Sequence, residues 1–188
     1  MPIPNRRLLT RLALAALSLY VPLARAQQPF TKPLALPPGS RAVSPNGRYV
    51  LVGVDSETEP NHTVFLEDLR LKTRRKLFNY DRHIEVLWNP DSESFAVSDY
   101  AGSDYSRCSI VSVMESVSPV QVWDELVKVA AGKERESLLQ NDHVYIAATG
   151  WISARVLRLK VWGHGEVNPT GFTRFYRYEV GIGIRRQQ

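Results

Sequence analysis

The sequence predicts a mainly β fold, an antiparallel β-meander built from repeated units, with a helical insertion near residues 119–140. Three observations carry the prediction. The stretch "AVSPNGRYVLVGVD" at 42–55 returns forty-five residues on as "LWNPDSESFAVSDY" at 87–100, each an apolar residue, a Pro-centred turn and a strand pattern. Near the C-terminus Leu157, Leu159 and Val161 interleave with Arg158, Lys160 and Trp162, the alternation of a strand with one buried face. Between these regions Trp123, Leu126, Val127 and Ala130 make a helical stripe.

Residues 1–26 read as a signal peptide. Arg6, Arg7 and Arg11 form a positive start, and Leu12 to Leu23 is an apolar run too short to span a bilayer comfortably. "ARA" at 24–26 supplies a small-residue cleavage pattern, so cleavage is expected after Ala26. No Cys near that point offers a site for a lipid. "RRLLTR" is a weak form of the twin-arginine signal, and the ordinary secretory route is the preferred reading. The expected location is periplasmic or secreted, without a permanent membrane anchor.

Export changes the charge argument. Arg6, Arg7, Arg11 and Arg25 belong to the signal, which carries no acidic residue; 24 basic residues less 4 leaves 20 against 19 acidic ones, and the formal +5 falls to +1. Nucleic-acid binding thereby loses its compositional support. The remaining basic strips, Arg70 to Lys76 and Arg155/Arg158/Lys160, read as solvated faces.

After the signal come a Pro-rich N-terminal arm (27–41) and a single β-rich domain (42–188), with units starting near 43, 88 and 151. Anchored at Val43 and Trp88, the first two units place Val50 and Phe95 seven residues on, and Val64 and Ser109 twenty-one residues on. Anchored at Trp151, the third places Leu157 at offset six, Arg158 at seven and Phe172 at twenty-one. Asn46-Gly47 and Pro90-Asp91 supply turn chemistry. "RRKLFNY" and "HIEVLW" are expected to add two further strands to the first unit, giving four antiparallel strands per period, as in a propeller blade. In the third, "FTRFYRYEVGI" puts Tyr176, Tyr178, Val180 and Ile182 on one face.

Cys108 is the only cysteine, so no intramolecular disulfide can form. Ile110 and Met114 at even spacing from it predict a core-facing position, with an intermolecular disulfide as the alternative. The insertion begins at Ser118-Pro119-x-Gln121, read as a capping box with Pro at the first helical position, and runs to Gly132. "KERESLLQ" is expected to add a second short helix before the strand "HVYIAATGW".

The stretch "SPNGRYVLVGVD…TVFLEDLRLKTRRKLF" resembles the SPDG-type β-propeller repeat of TolB-like propellers and of the prolyl-oligopeptidase N-terminal domain. Ser44, Pro45, Asn46, Gly47, Asp68 and Leu69 match the pattern. Asn89, Pro90 and Asp91 match in part, with Ser92 where Gly is expected, and Trp151 to Ser153 lacks the motif. The resemblance covers about residues 42–115 and implies a scaffold that hosts many functions. Closed propellers need roughly four to eight blades, and the chain has room for fewer than three complete ones by this count. The expectation is an incomplete propeller. Its exposed edges call for cover by the helix, by the Pro-rich arm or by another copy.

The repeat register aligns three polar loops, 55–62, 99–107 and 163–171, on one edge of the sheets. Candidate ligand- or partner-binding residues are Asp55, Glu57, His62, Asp99, Asp104, Tyr105, Trp162, His164 and Glu166, with Glu59 in the same loops. Hairpin loops are also polar simply because they are solvated. No His-Glu-x-x-His or EF-hand spacing supports a metal, and no Gly-x-Ser-x-Gly elbow, phosphate loop or dinucleotide fingerprint supports a catalytic site or cofactor. The prolyl-oligopeptidase resemblance implies no catalysis, because that family's active Ser lies in a separate hydrolase domain. His83 and His143, at strand starts, read as structural or solvated. Trp88 and Trp151 share one unit position and read as core, and Trp162 as a possible exposed anchor.

The functional expectation is a non-enzymatic exported module that binds an envelope protein or an extracellular ligand through the three loops. The alternatives are an envelope hydrolase using acidic and His residues of those loops, or a structural subunit that closes its sheet as a homo-oligomer.

Overall fold

The computed structural model describes residues 32–55 and 61–187. The expected signal peptide and cleavage point, with Glu57 and Glu59, lie outside the described residues.

Three antiparallel sheets follow one another along the chain. After a short β1 (Leu34–Ala35), the first sheet is β2 (Arg41–Val43), β3 (Tyr49–Asp55), β4 (His62–Asp68) and β5 (Thr73–Tyr80), paired in that order. The second is β6 (Ile84–Trp88), β7 (Ser94–Asp99), β8 (Arg107–Ser112) and β9 (Val120–Gln121), with β1 added beyond β6. Helices α1 (Val122–Val129) and α2 (Gly132–Leu139) precede the third, β10 (His143–Ser153), β11 (Val156–His164), β12 (Phe172–Glu179) and β13 (Gly183–Arg186). Three blade-type sheets form where the sequence count left room for fewer. "HIEVLW" opens the second sheet rather than closing the first, and β2 supplies the first sheet's opening strand.

The repeat register is a pairing register. Val43 pairs with Val50, Trp88 with Phe95 and Trp151 with Leu157. The shorter offset in the third unit reflects a tighter hairpin, in which Ser153 already pairs with Val156 after a register shift.

Alternation then divides the second sheet between two cores. Trp88, Phe95 and Val86 face the first sheet's Leu51, Leu66 and Tyr80. Leu87, Ala96 and Ile110 face the other way, toward α1, α2 and the third sheet's Trp151, Leu157 and Leu159. Burial on both faces is why "SFAVS" and "EVLW" read as nearly continuous apolar runs. Cys108 is buried in the second core, as its alternation predicts, and desolvation pushes its thiol up to about 12.

Helix α1 buries Val122, Leu126 and Ala130, a spacing of four that keeps one face inward, and wedges between β8 and β13. The predicted capping box is not used as such. Val120 and Gln121 pair with β8 instead, so the helix starts at Val122 with no side-chain cap on Gln121. Gly132, at φ +52, opens α2. Two alternation readings fail where strands end: Met114 is exposed beyond β8, and Val180 and Ile182 are exposed in the turn after β12.

The Pro-rich arm covers the inner edge of β6. Leu34 and Ala35 pair with Val86 and Glu85, Leu36 N–H donates to Ile84 O at 3.1 Å, and Tyr80 OH donates to Leu36 O at 2.8 Å. Gly53 is required where the arm crosses β3, because a Cβ there would lie 2.7 Å from Pro37 O.

At the opposite edge the Pro turns join the sheets. Ser44 Oγ accepts from Tyr49 N–H and Asn46 Oδ1 from Arg48 N–H, both at 2.9 Å, closing the first turn on itself. Ser92 sits at φ +64, matching Gly47 at φ +72. Its hydroxyl accepts from Asn46 N–H at 3.1 Å, which explains a serine at a glycine position. Asn89 Nδ2 donates to Ala154 O at 2.8 Å, tying the second turn to the third.

Candidate functional site

The edge opposite those turns carries the three aligned loops, each between the second and third strand of its sheet. All four histidines of the chain lie along it, each against another ring. His62 lies 5.0 Å from Tyr80, His83 lies 5.4 Å from Tyr100, and His143 stacks on His164 at 4.4 Å and 11°. The last contact follows from register, since His143 pairs with His164 across β10 and β11.

The eight candidates among the described residues fall into four neighbourhoods, not one. Asp55 Oδ1 and His62 Nδ1 stand 2.8 Å apart at the mouth of the first loop, and Glu57 lies outside the described residues. Asp99 lines a cavity of about 340 Å³ between the first and second sheets, with Arg75, Phe78, Arg107 and Val111. Burial raises its carboxyl above the usual range, with Arg107 opposing and Asp81 adding to the shift, and its Oδ1 has no hydrogen-bond partner. Trp162 and His164 line an open depression of about 480 Å³ with Pro169 and Phe172, and Glu166 is exposed in the same loop. Trp162 is only half-exposed: it stacks on Tyr145 at 5.4 Å, and Lys160 Nζ lies 4.9 Å over its ring.

Asp104 and Tyr105 belong to a cleft of about 550 Å³. Loop 99–107 forms one wall, α1 and the end of α2 another, and the start of β10 the third. The loop is pinned to β10 by Val144 N–H donating to Asp104 O at 3.0 Å and by Tyr145 OH donating to Ser103 O at 2.5 Å. Leu138 and Val144 give an apolar floor, and Trp123 and Tyr105 add aromatic surface. Asp104, Asp124 and Asp142 bring three carboxylates against one cation, Arg107, whose guanidinium lies 5.3 Å from the Tyr105 ring.

The serine at the cleft, Ser106, is buried, and its hydroxyl donates to Ile146 O and accepts from Ile146 N–H, both at 2.8 Å. That oxygen is committed to joining the end of loop 99–107 to β10. Among the described residues no group of three or more His, Cys, Asp or Glu side chains is placed to hold a metal ion. Trp123, Asp124 and Asp142 escaped sequence reasoning because the helical insertion, folded back beside loop 99–107, brings them there, whereas Arg107 ends the loop that the register had already placed. The advance signal was Trp123 itself, read as part of a helical stripe and found half-buried at the cleft.

No protein-family model and no curated protein sequence matches the chain. Solved structures do. The β-propeller domain of the Trilobed protease from Pyrococcus furiosus, described as having an open velcro topology, superposes at a TM-score of 0.53 with 14% identity, covering 79% of this chain and 42% of that one. The fold is a β-propeller fold. A structure of prolyl endopeptidases also matches, at a TM-score of 0.48 and 12% identity over 82% of this chain and 22% of that one. This chain thus spans less than half the length of either matched chain. The three sheets among the described residues are fewer than the roughly four to eight blades of a closed ring, the arrangement of an incomplete propeller.

Proposed function

We propose that the protein is an exported, non-enzymatic binding module that takes a partner segment or small ligand at its loop edge, in the cleft between loop 99–107, the two helices and β10. The observation that carries this reading is the cleft's construction: a concave, half-apolar space of about 550 Å³ with convergent polar groups, on the edge that carries the polar loops aligned by the repeat register. Three carboxylates beside Trp123 and Tyr105 suit a positively charged group, held by charge and by the aromatic faces. The likeness to the propeller domain of a protease supports the frame alone.

The test is capture of a partner from envelope extract by the chain starting at Gln27, compared with its Asp104→Asn/Asp124→Asn variant. A species retained by the first and lost by the second, at unchanged melting temperature, supports the reading. Equal retention by both sinks it.

A further inference from the structure

The row of residues that each sheet turns toward the next changes character at the third. In the first sheet it is Ala42, Leu51 and Leu66, paired strand to strand and buried. In the second it is Leu87, Ala96 and Ile110, also buried. In the third, the same pairing positions hold Gly150, Arg158 and Arg177, and Arg185 continues the row. All three arginines are exposed, and none forms an ion pair among the described residues. Like charges set directly opposite across neighbouring strands cost stability. Here two such pairs occur in succession.

The neighbouring row extends the pattern. Lys160 pairs with Phe175, whose ring is half-exposed. The one carboxylate on this face is Glu179, at the hairpin end opposite Val156. A polar surface on a solvent-facing outer sheet is expected for solubility alone, but the first sheet shows what that looks like. On its outer face Glu67 lies 2.7 Å from Arg41 and 4.0 Å from Arg74, so charge is answered locally. The third sheet leaves four cations of one sign unanswered.

We propose that the outer face of the third sheet, centred on Arg158, Arg177 and Arg185, is a docking surface for an acidic protein partner. Guanidinium forks pair with carboxylates bidentately, and arginine with exposed aromatic surface is the composition of protein–protein hot spots. A second copy of this chain does not suit the face. The first sheet's outer face would bring Arg41 and Arg74 against the arginine row, and Val43 stands where Trp88 and Trp151 stand in their units. Val43 therefore has no indole N–H to offer the Gly150 carbonyl. A nucleic acid suits it less well, because the Lys160 ammonium already covers the Trp162 ring on which a base would stack. The surface is separate from the loop-edge cleft and does not depend on it.

The test uses the chain from Gln27, with poly-L-glutamate as the acidic polypeptide, in about 0.15 M salt, where bulk charge is screened beyond about 8 Å. Polygalacturonate and oligothymidylate serve as the glycan and nucleic-acid arms. The Arg158→Gln/Arg177→Gln/Arg185→Gln variant is compared with a charge-matched Arg70→Gln/Lys72→Gln/Arg82→Gln variant, altered at exposed positions elsewhere. Poly-L-glutamate binding is expected to fall by about tenfold or more in the first and to hold in the second, and the first should melt no lower than the parent. Equal loss in both variants, row-dependent binding of polygalacturonate or oligothymidylate in place of poly-L-glutamate, no binding of any polymer, or a lower melting temperature in the row variant would each overturn the proposal.

Discussion

The indole N–H of Trp88 donates to the backbone carbonyl of Ala42 across 3.0 Å, joining the second sheet to the first. Trp151 repeats the bond to Leu87 at 3.1 Å, joining the third to the second. In each case the acceptor is the residue before the preceding unit's anchor. The spacing that reveals the repeat in the sequence is therefore also the spacing that staples its sheets.

Replacing either indole by a benzene ring should keep most of the packing and orphan a buried carbonyl. Trp88→Phe and Trp151→Phe are each expected to lose about 1–3 kcal/mol, read from urea unfolding midpoints at constant slope. Near-equal losses are expected, because both rings are almost fully buried and make the same bond.

Ser92 holds a left-handed backbone conformation, at a cost of roughly 1–2 kcal/mol for a residue other than Gly, and its hydroxyl links two turns. Ser92→Ala keeps the strain and loses the acceptor, so a loss of about 1–2 kcal/mol is expected. Ser92→Gly exchanges one effect for the other and should fall within about 1 kcal/mol of the parent. Thermal melts of the three proteins give the order.

Gly53→Ala places a methyl against backbone, which cannot rotate away. Overpacking of this kind costs roughly 1–3 kcal/mol. The specific expectation is that the arm at 32–40 loosens from β3 and β6, seen as earlier proteolytic cleavage before Arg41 with the rest of the domain intact.

Two carboxylates should act on stability with opposite signs. The Arg48 hydrogen bond, aided by Leu71 and Arg70 N–H groups, holds Asp68 below the usual carboxylate range against the opposing effect of burial. Its contribution is present above the unfolded value and is lost as pH falls through the folded one. Asp68→Asn should thus destabilise at neutral pH and flatten acid unfolding below about pH 4. Asp99 is raised by burial, so its contribution is present at low pH and is lost as pH rises through the folded value. Asp99→Asn should leave the protein as stable or more stable at pH 7. A clear loss there would show that the ionised carboxylate is held by a partner.

The frame was legible because its signals are local. Turn chemistry at Asn46-Gly47 and period-two alternation at Leu157 to Trp162 depend on neighbours in the chain, and both survive in the structure. Alternation misled only past strand ends, at Met114, Val180 and Ile182, where a turn replaces the pleat. The cleft was half legible. Loop 99–107 follows from register, but Trp123, Asp124 and Asp142 arrive through a helix whose placement is decided by packing of Val122 and Leu126 into a distant core. The arginine row needed the pairing of three strands, because sequence shows only Arg158 and Lys160 on one of them.

We propose that the three described sheets form an open stack that binds through its loop edge and outer face, not a half-ring that closes on a copy of itself. Light scattering during size-exclusion chromatography of the chain from Gln27, at tens of micromolar, tests it most directly. A single species with the mass of one chain is the predicted result. A dimer that persists on dilution and dissociates only with unfolding would contradict it.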